Sequence, residues 1–252
     1  MKKIGIGVLI VLGVALLVWL NYALFTGKIF GLSDDVTTAM ESDDEVEVAL
    51  MEDGDWLVMT PAKTVPAAGL IFYPEGRMEI QSYALVGREI AQKGYLIVFL
   101  SRRLDQEYDL IEEEGRIETV MAAYPDIDIW VIGAHTFGGP VAVDYAASHP
   151  ERVAGLVLWA GRVEGAASLA DCSLPVLMVY GTVDDEKTGF LASAKTHLPG
   201  HTVWVAIEGG NRTQFANFGP MSADPGATIT SEEQQAQAIA ATLDFLDSLS
   251  GD

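Results

Sequence analysis

The sequence predicts an α/β domain on a doubly wound, mostly parallel sheet, and two patterns carry that expectation. The runs Gly69–Tyr73, Tyr95–Leu100, Ile129–Ile132, Val153–Trp159 and Val176–Tyr180 are largely continuous in apolar character rather than alternating, the mark of strands covered by helices on both faces. Longer segments of helical character separate them, so strand and helix alternate along the chain. At 252 residues the chain has room for one such domain and a short extension.

The first segment differs in kind. Ile4 to Leu20 carries no charge or proline, continues to Phe25 and follows Lys2 and Lys3, which is a membrane-spanning length. A cleavable signal peptide and a permanent anchor are the two readings. The run exceeds the usual signal length and no small-x-small site follows it, so residues 1–25 are expected to be an uncleaved anchor. Lysines before the span and acids after it predict a single-pass protein of the cell membrane with a cytoplasmic N-terminus and an extracytoplasmic domain. Residues 26–44, with Asp34, Asp35, Glu41, Asp43 and Asp44, read as an acidic juxtamembrane tether, leaving 45–252 as the folded domain.

Within that domain, Glu45–Met51 and Trp56–Thr60 form a leading hairpin around Glu52-Asp53-Gly54-Asp55. Helices are expected over Ile80–Lys93, Asp109–Ala123, Gly138–Ser148, Lys187–Leu198 and Ser231–Leu249, with a last strand over Val203–Ile207. Ser231 and Gln234 fit a capping box at the start of the final helix.

Composition limits the function. A formal net charge of −21 argues against nucleic acid and anionic lipid surfaces as partners. The single cysteine, Cys172, cannot form an internal disulfide. The four histidines, His135, His149, His197 and His201, lack metal-ligand spacing, so neither a metal nor a cofactor is expected.

The stretch W-V-I-G-A-H-T-F-G-G, Trp130 to Gly139, reads as a buried strand entering a glycine-lined turn and then a helix. This is a nucleophile elbow with Thr136 in the serine slot. Such a turn exposes one hydroxyl beside the N–H groups of the next residues, here beginning with Phe137, and the positive end of the following helix. In a sheet of this type ligands bind beyond the carboxyl ends of the strands, where the loops Tyr73–Met78, His135–Gly139, Gly181–Glu186 and Gly209–Phe218 should meet.

These loops carry Phe72-Tyr73-Pro74-Glu75-Gly76, Gly133-Ala134-His135-Thr136-Phe137-Gly138-Gly139, Tyr180-Gly181-Thr182-Val183-Asp184 and Glu208-Gly209-Gly210-Asn211-Arg212-Thr213-Gln214-Phe215. In that order they resemble the α/β-hydrolase superfamily, and within it the compact, lidless, dienelactone-hydrolase-like bacterial members. The resemblance spans roughly residues 45 to 249 and implies hydrolysis of small esters or lactones. It places Thr136, Asp184 and Arg212 at the nucleophile, acid and general-base positions, and Phe137, Glu75 and Gly76 around the oxyanion and substrate. Threonine replaces the family's serine, Arg212 its histidine, and Glu75 a glycine. A triad needs a base that can take the hydroxyl proton, and a guanidinium has no acceptor. His135 is expected to pack in the elbow rather than replace that base.

Two functions follow from these residues. One is a membrane-anchored hydrolase of small esters or lactones with an impaired, degenerate triad. The other is a pseudoenzyme that binds a small ligand, anionic through Arg212, or a protein partner.

Overall fold

The computed structural model describes residues 12–19, 34–51, 55–75, 78–101, 110–217 and 226–251. The chain divides into two units, Met1–Gly31 and Leu32–Asp252. Of the first, residues 12–19 are helical, and Leu12, Leu16 and Trp19 are exposed. Among the described residues no helix is long and apolar enough to cross a membrane; the rest of the expected 1–25 anchor lies outside them.

The second unit begins earlier than the acidic composition suggested. Helix α1 (Asp34–Ala39) buries Val36 and Ala39, and Arg88 donates to the carbonyls of Ala39 (3.2 Å) and Glu41 (2.8 Å) and to the Asp43 carboxylate. Residues 34–44 are therefore folded onto the domain rather than forming part of a solvated tether. Charge density concealed the short apolar pair that α1 buries.

Strands β1 (Val46–Met51) and β2 (Trp56–Pro61) form the expected hairpin. They are followed by β3 (Gly69–Tyr73), a 3-10 turn (Ile80–Tyr83), α2 (Ala84–Gln92), β4 (Leu96–Leu100), α3 (Leu110–Ala123) and β5 (Trp130–His135). Next come α4 (Gly139–Ser148), β6 (Gly155–Trp159), β7 (Val176–Gly181), α5 (Thr182–Thr188), α6 (Phe190–His197), β8 (Val203–Ile207) and α7 (Ser231–Ser250). One eight-stranded sheet results, in the order β1-β2-β4-β3-β5-β6-β7-β8. From β4 to β8 every pair is parallel, while β1–β2 and β2–β4 are antiparallel. The parallel strands β3, β4, β5 and β6 are buried throughout, as their unbroken apolar sequences require.

Each face of the sheet carries its own core. Val36, Ile90, Ala238 and Phe245 pack on one, and Ile117, Val141, Tyr145 and Leu191 on the other. On the first face Phe72, Trp159 and Phe215 form an aromatic layer, with ring centroids 4.8 Å apart for Phe72–Trp159 and 5.8 Å for Trp159–Phe215. This layer lies beneath the elbow.

Among the element boundaries that differ from expectation, two bear on the site. The helix expected over 187–198 is two helices, because Gly189 takes φ 63° and its N–H bonds back to the Asp185 carbonyl at 2.8 Å, closing α5. The capping box of α7 sits one residue earlier, at Thr230 and Glu233, each side chain accepting the other's backbone N–H. Gln234 is thereby released for a different task.

Candidate active site

At the carboxyl end of β5 the chain turns sharply, and Thr136 sits there at φ 41° with 1 % of its surface exposed. Positive φ in a β-branched residue stores local strain on the order of 1–3 kcal/mol. Close backbone approaches hold the turn in place. The Arg162 N–H donates to the Thr136 carbonyl at 3.0 Å, and a Cβ at Gly139 would overlap the Arg162 carbonyl oxygen. Glycine at 139 is a packing requirement.

The acid and base loops meet in the same way. A Cβ on Gly181 would overlap the backbone of Gly210, the Val183 N–H donates to the Gly210 carbonyl (3.1 Å), and the Gly209 N–H to Thr182 Oγ1 (3.0 Å). Gln234, fully buried on α7, clamps Asn211 by accepting its N–H (3.0 Å) and donating to its carbonyl (2.6 Å). The next residue is Arg212, so the clamp sets where its side chain leaves the main chain.

A buried chain of hydrogen bonds joins three of these loops. The Glu75 N–H donates to Tyr83 Oη (2.9 Å), Tyr83 Oη lies 2.6 Å from His135 Nδ1, and His135 Nε2 lies 2.8 Å from the Arg212 carbonyl oxygen. A carbonyl only accepts, so the imidazole carries its proton on Nε2 and the tyrosine hydroxyl donates to Nδ1. Burial holds His135 far below its usual range, at about 3; the hydrogen bond to Arg212 opposes that shift and the Arg212 charge adds to it. Burial likewise raises the Tyr83 phenol well above its ordinary value. His135 is thus a neutral structural link between elbow and base loop, packed as its sequence context suggested.

The carboxylate of Glu75 turns the other way and accepts the hydroxyl proton of Thr136, both side chains being buried. Gly76 lies outside the described residues. Phe137 is 44 % exposed, and the Arg162 guanidinium stands 5.2 Å above its ring.

Beside Thr136 a cavity of about 120 Å³ opens, walled by Ala160, Arg162, Asp184, Phe190, Ser193 and Arg212 among others. Asp184 is 3 % exposed. The fold therefore brings Thr136, Asp184 and Arg212 to one cavity, although they are far apart in sequence. No histidine is among its described walls. Among the described residues no group of His, Cys, Asp and Glu could hold a metal ion. The contributions of Tyr83 and Arg162 had no local signal, and Gln234 read only as a capping partner at the start of the last helix.

The order of elements, the positive-φ elbow and this cavity agree with the match of residues 69–236 to the model of the Alpha/beta hydrolase family. The chain belongs to that family. Its fold is shared by a ferulic acid esterase from Streptomyces cinnamoneus, at 14% identity and TM-score 0.60 over 75% of this chain and 68% of that one. An esterase from Pyrobaculum calidifontis is 17% identical with TM-score 0.59, covering 84% of this chain and 88% of its own. Dienelactone hydrolase from Anabaena variabilis ATCC 29413 is 15% identical with TM-score 0.56, covering 79% and 96%. No curated protein matches the sequence at a significant level. The fold of this chain is that of the α/β-hydrolases and is similar to those of dienelactone hydrolases and esterases.

Proposed function

We propose that the protein is a membrane-anchored α/β-hydrolase-family member whose nominal substrates are small esters or lactones, and in which triad hydrolysis is impaired. The supporting observation is the cavity itself: it unites Thr136, Asp184 and Arg212 with no imidazole among its described walls. With no imidazole there to take the hydroxyl proton and return it to a leaving group, Thr136 is a poor nucleophile, and its methyl crowds the approach of an acyl carbon. Arg212 cannot act as a base. It can serve as a charge partner for Asp184, or grip an anionic group of a ligand.

The alternative, a pseudoenzyme that binds a small anionic ligand or a protein partner, draws on the same cavity. Arg162 and Arg212 both stand in its wall. One experiment separates a working hydrolase from both readings: exposure of the full chain to a fluorophosphonate probe. We expect negligible labelling and slow turnover of an activated short ester. Fast labelling that is lost in Thr136→Ala would make threonine a true nucleophile and overturn the reading.

Anchoring rests on the apolar run at 4–25 behind two lysines. The chain should stay in the membrane fraction after salt washing, with its domain open to protease added outside intact cells. A protected domain would reverse the orientation, and release by salt would remove the anchor.

A further inference from the structure

The Glu75 contact adds a second obstacle to acyl transfer, separate from the missing histidine. In an elbow site the oxyanion of the tetrahedral intermediate is held by the N–H after the nucleophile and by an N–H from the loop that follows β3. Glu75 belongs to that loop. Its N–H is directed to Tyr83 (2.9 Å), and its carboxylate is directed to the Thr136 hydroxyl. At Glu75 this loop thus presents an acceptor to the elbow where acyl transfer needs a donor.

Burial sharpens the effect. Glu75 is 7 % exposed and Thr136 1 %, so little water lies between them to screen a second negative charge. The free space at Thr136 is walled by Asp184 and Arg212, and Glu75 is not among the described walls of that cavity.

We propose that Glu75 closes the elbow to acyl chemistry by placing a carboxylate on the side of Thr136 where the oxyanion of a tetrahedral intermediate would form. Glu75 thereby determines which reactions the site rejects. A ligand can enter on the Asp184 and Arg212 side, but a carbonyl that draws electron density next to Glu75 is repelled. Rebuilding the triad alone is then insufficient. This inference rests on the reading of the cavity as an impaired hydrolase site.

The test uses the full chain in detergent and p-nitrophenyl acetate. Thr136→Ser with Arg212→His is the starting variant, to which Glu75→Gly or Glu75→Gln is added. Thermal melting checks that each is folded. Removing the charge should raise kcat/KM by about 10²-fold or more over the starting variant, the scale of one oxyanion-hole donor. Glutamine is nearly isosteric, so a gain there carries the proposal even if the glycine variant fails to fold. Folded variants without a gain would overturn it. A loss of turnover would also overturn it, making Glu75 a base for residue 136. Fast hydrolysis by the unaltered chain would instead sink the impaired-hydrolase reading, which the starting measurement reports separately.

Discussion

Acidification from pH 6.5 toward pH 3 is expected to weaken the domain steeply through one imidazole. His135 stays neutral in the fold down to about 3, whereas in the unfolded chain it ionises near 6.5. Between those values the unfolded state binds the extra proton, so stability falls as the pH falls, by about 1.4 kcal/mol per pH unit at most. The contribution is fully present above 6.5, and below 3 this group adds no further loss. Two units of acidification thus remove about 3 kcal/mol, against a usual domain stability of roughly 5–15 kcal/mol. Denaturant titrations at a series of pH values measure the slope. The window above pH 5 isolates the effect from Asp43 and Glu233, whose carboxyls are held below their ordinary values by backbone hydrogen bonds. His135→Gln does not titrate and should flatten the curve there. A parent whose stability is level from pH 6.5 to 4.5 would show that the imidazole ionises inside the fold.

Gly139→Ala should destabilise the domain by about 3 kcal/mol, the upper part of the range for overpacking, although alanine is the better helix former. A methyl at 139 would overlap the Arg162 carbonyl oxygen, which is backbone and cannot rotate aside as a side chain can. Moving it would also strain the hydrogen bond from the Arg162 N–H to Thr136 and disturb the elbow. Gly115 supplies the contrast. It lies inside α3 with nothing within 4 Å of an added Cβ, so Gly115→Ala should be stabilising by up to about 1 kcal/mol. Equal melting of Gly139→Ala and the parent would show that α4 and the 162 segment are not held this closely.

The strands were legible because unbroken apolar runs leave few alternatives. Helix ends were less so: the break at Gly189 depends on a left-handed residue closing α5, and a glycine in a helical pattern is compatible with continuation. The acidic stretch 34–44 misled for a related reason. Five of its eleven residues are Asp or Glu, yet Val36 is fully buried, and composition averages over the residue that matters.

For the site, sequence by itself determined that a threonine stands at the elbow, that an arginine and a glutamate occupy positions where the resembled family has histidine and glycine, and that an aspartate is retained. These are statements about single positions within glycine-marked turns, and a turn is specified by neighbours in the chain. Only the tertiary structure decided what those side chains do to one another. Thr136 and Glu75 are 61 residues apart, Tyr83 and His135 52, and His135 and Arg212 77. Such contacts follow from β3 and β5 being adjacent and parallel, and from the packing of α7 on the base loop. Local periodicity determines which face of an element is buried. The direction in which a loop turns its N–H and its carboxylate depends on the hydrogen-bond partners the finished fold brings beside it, and for Glu75 those include Tyr83 and Thr136.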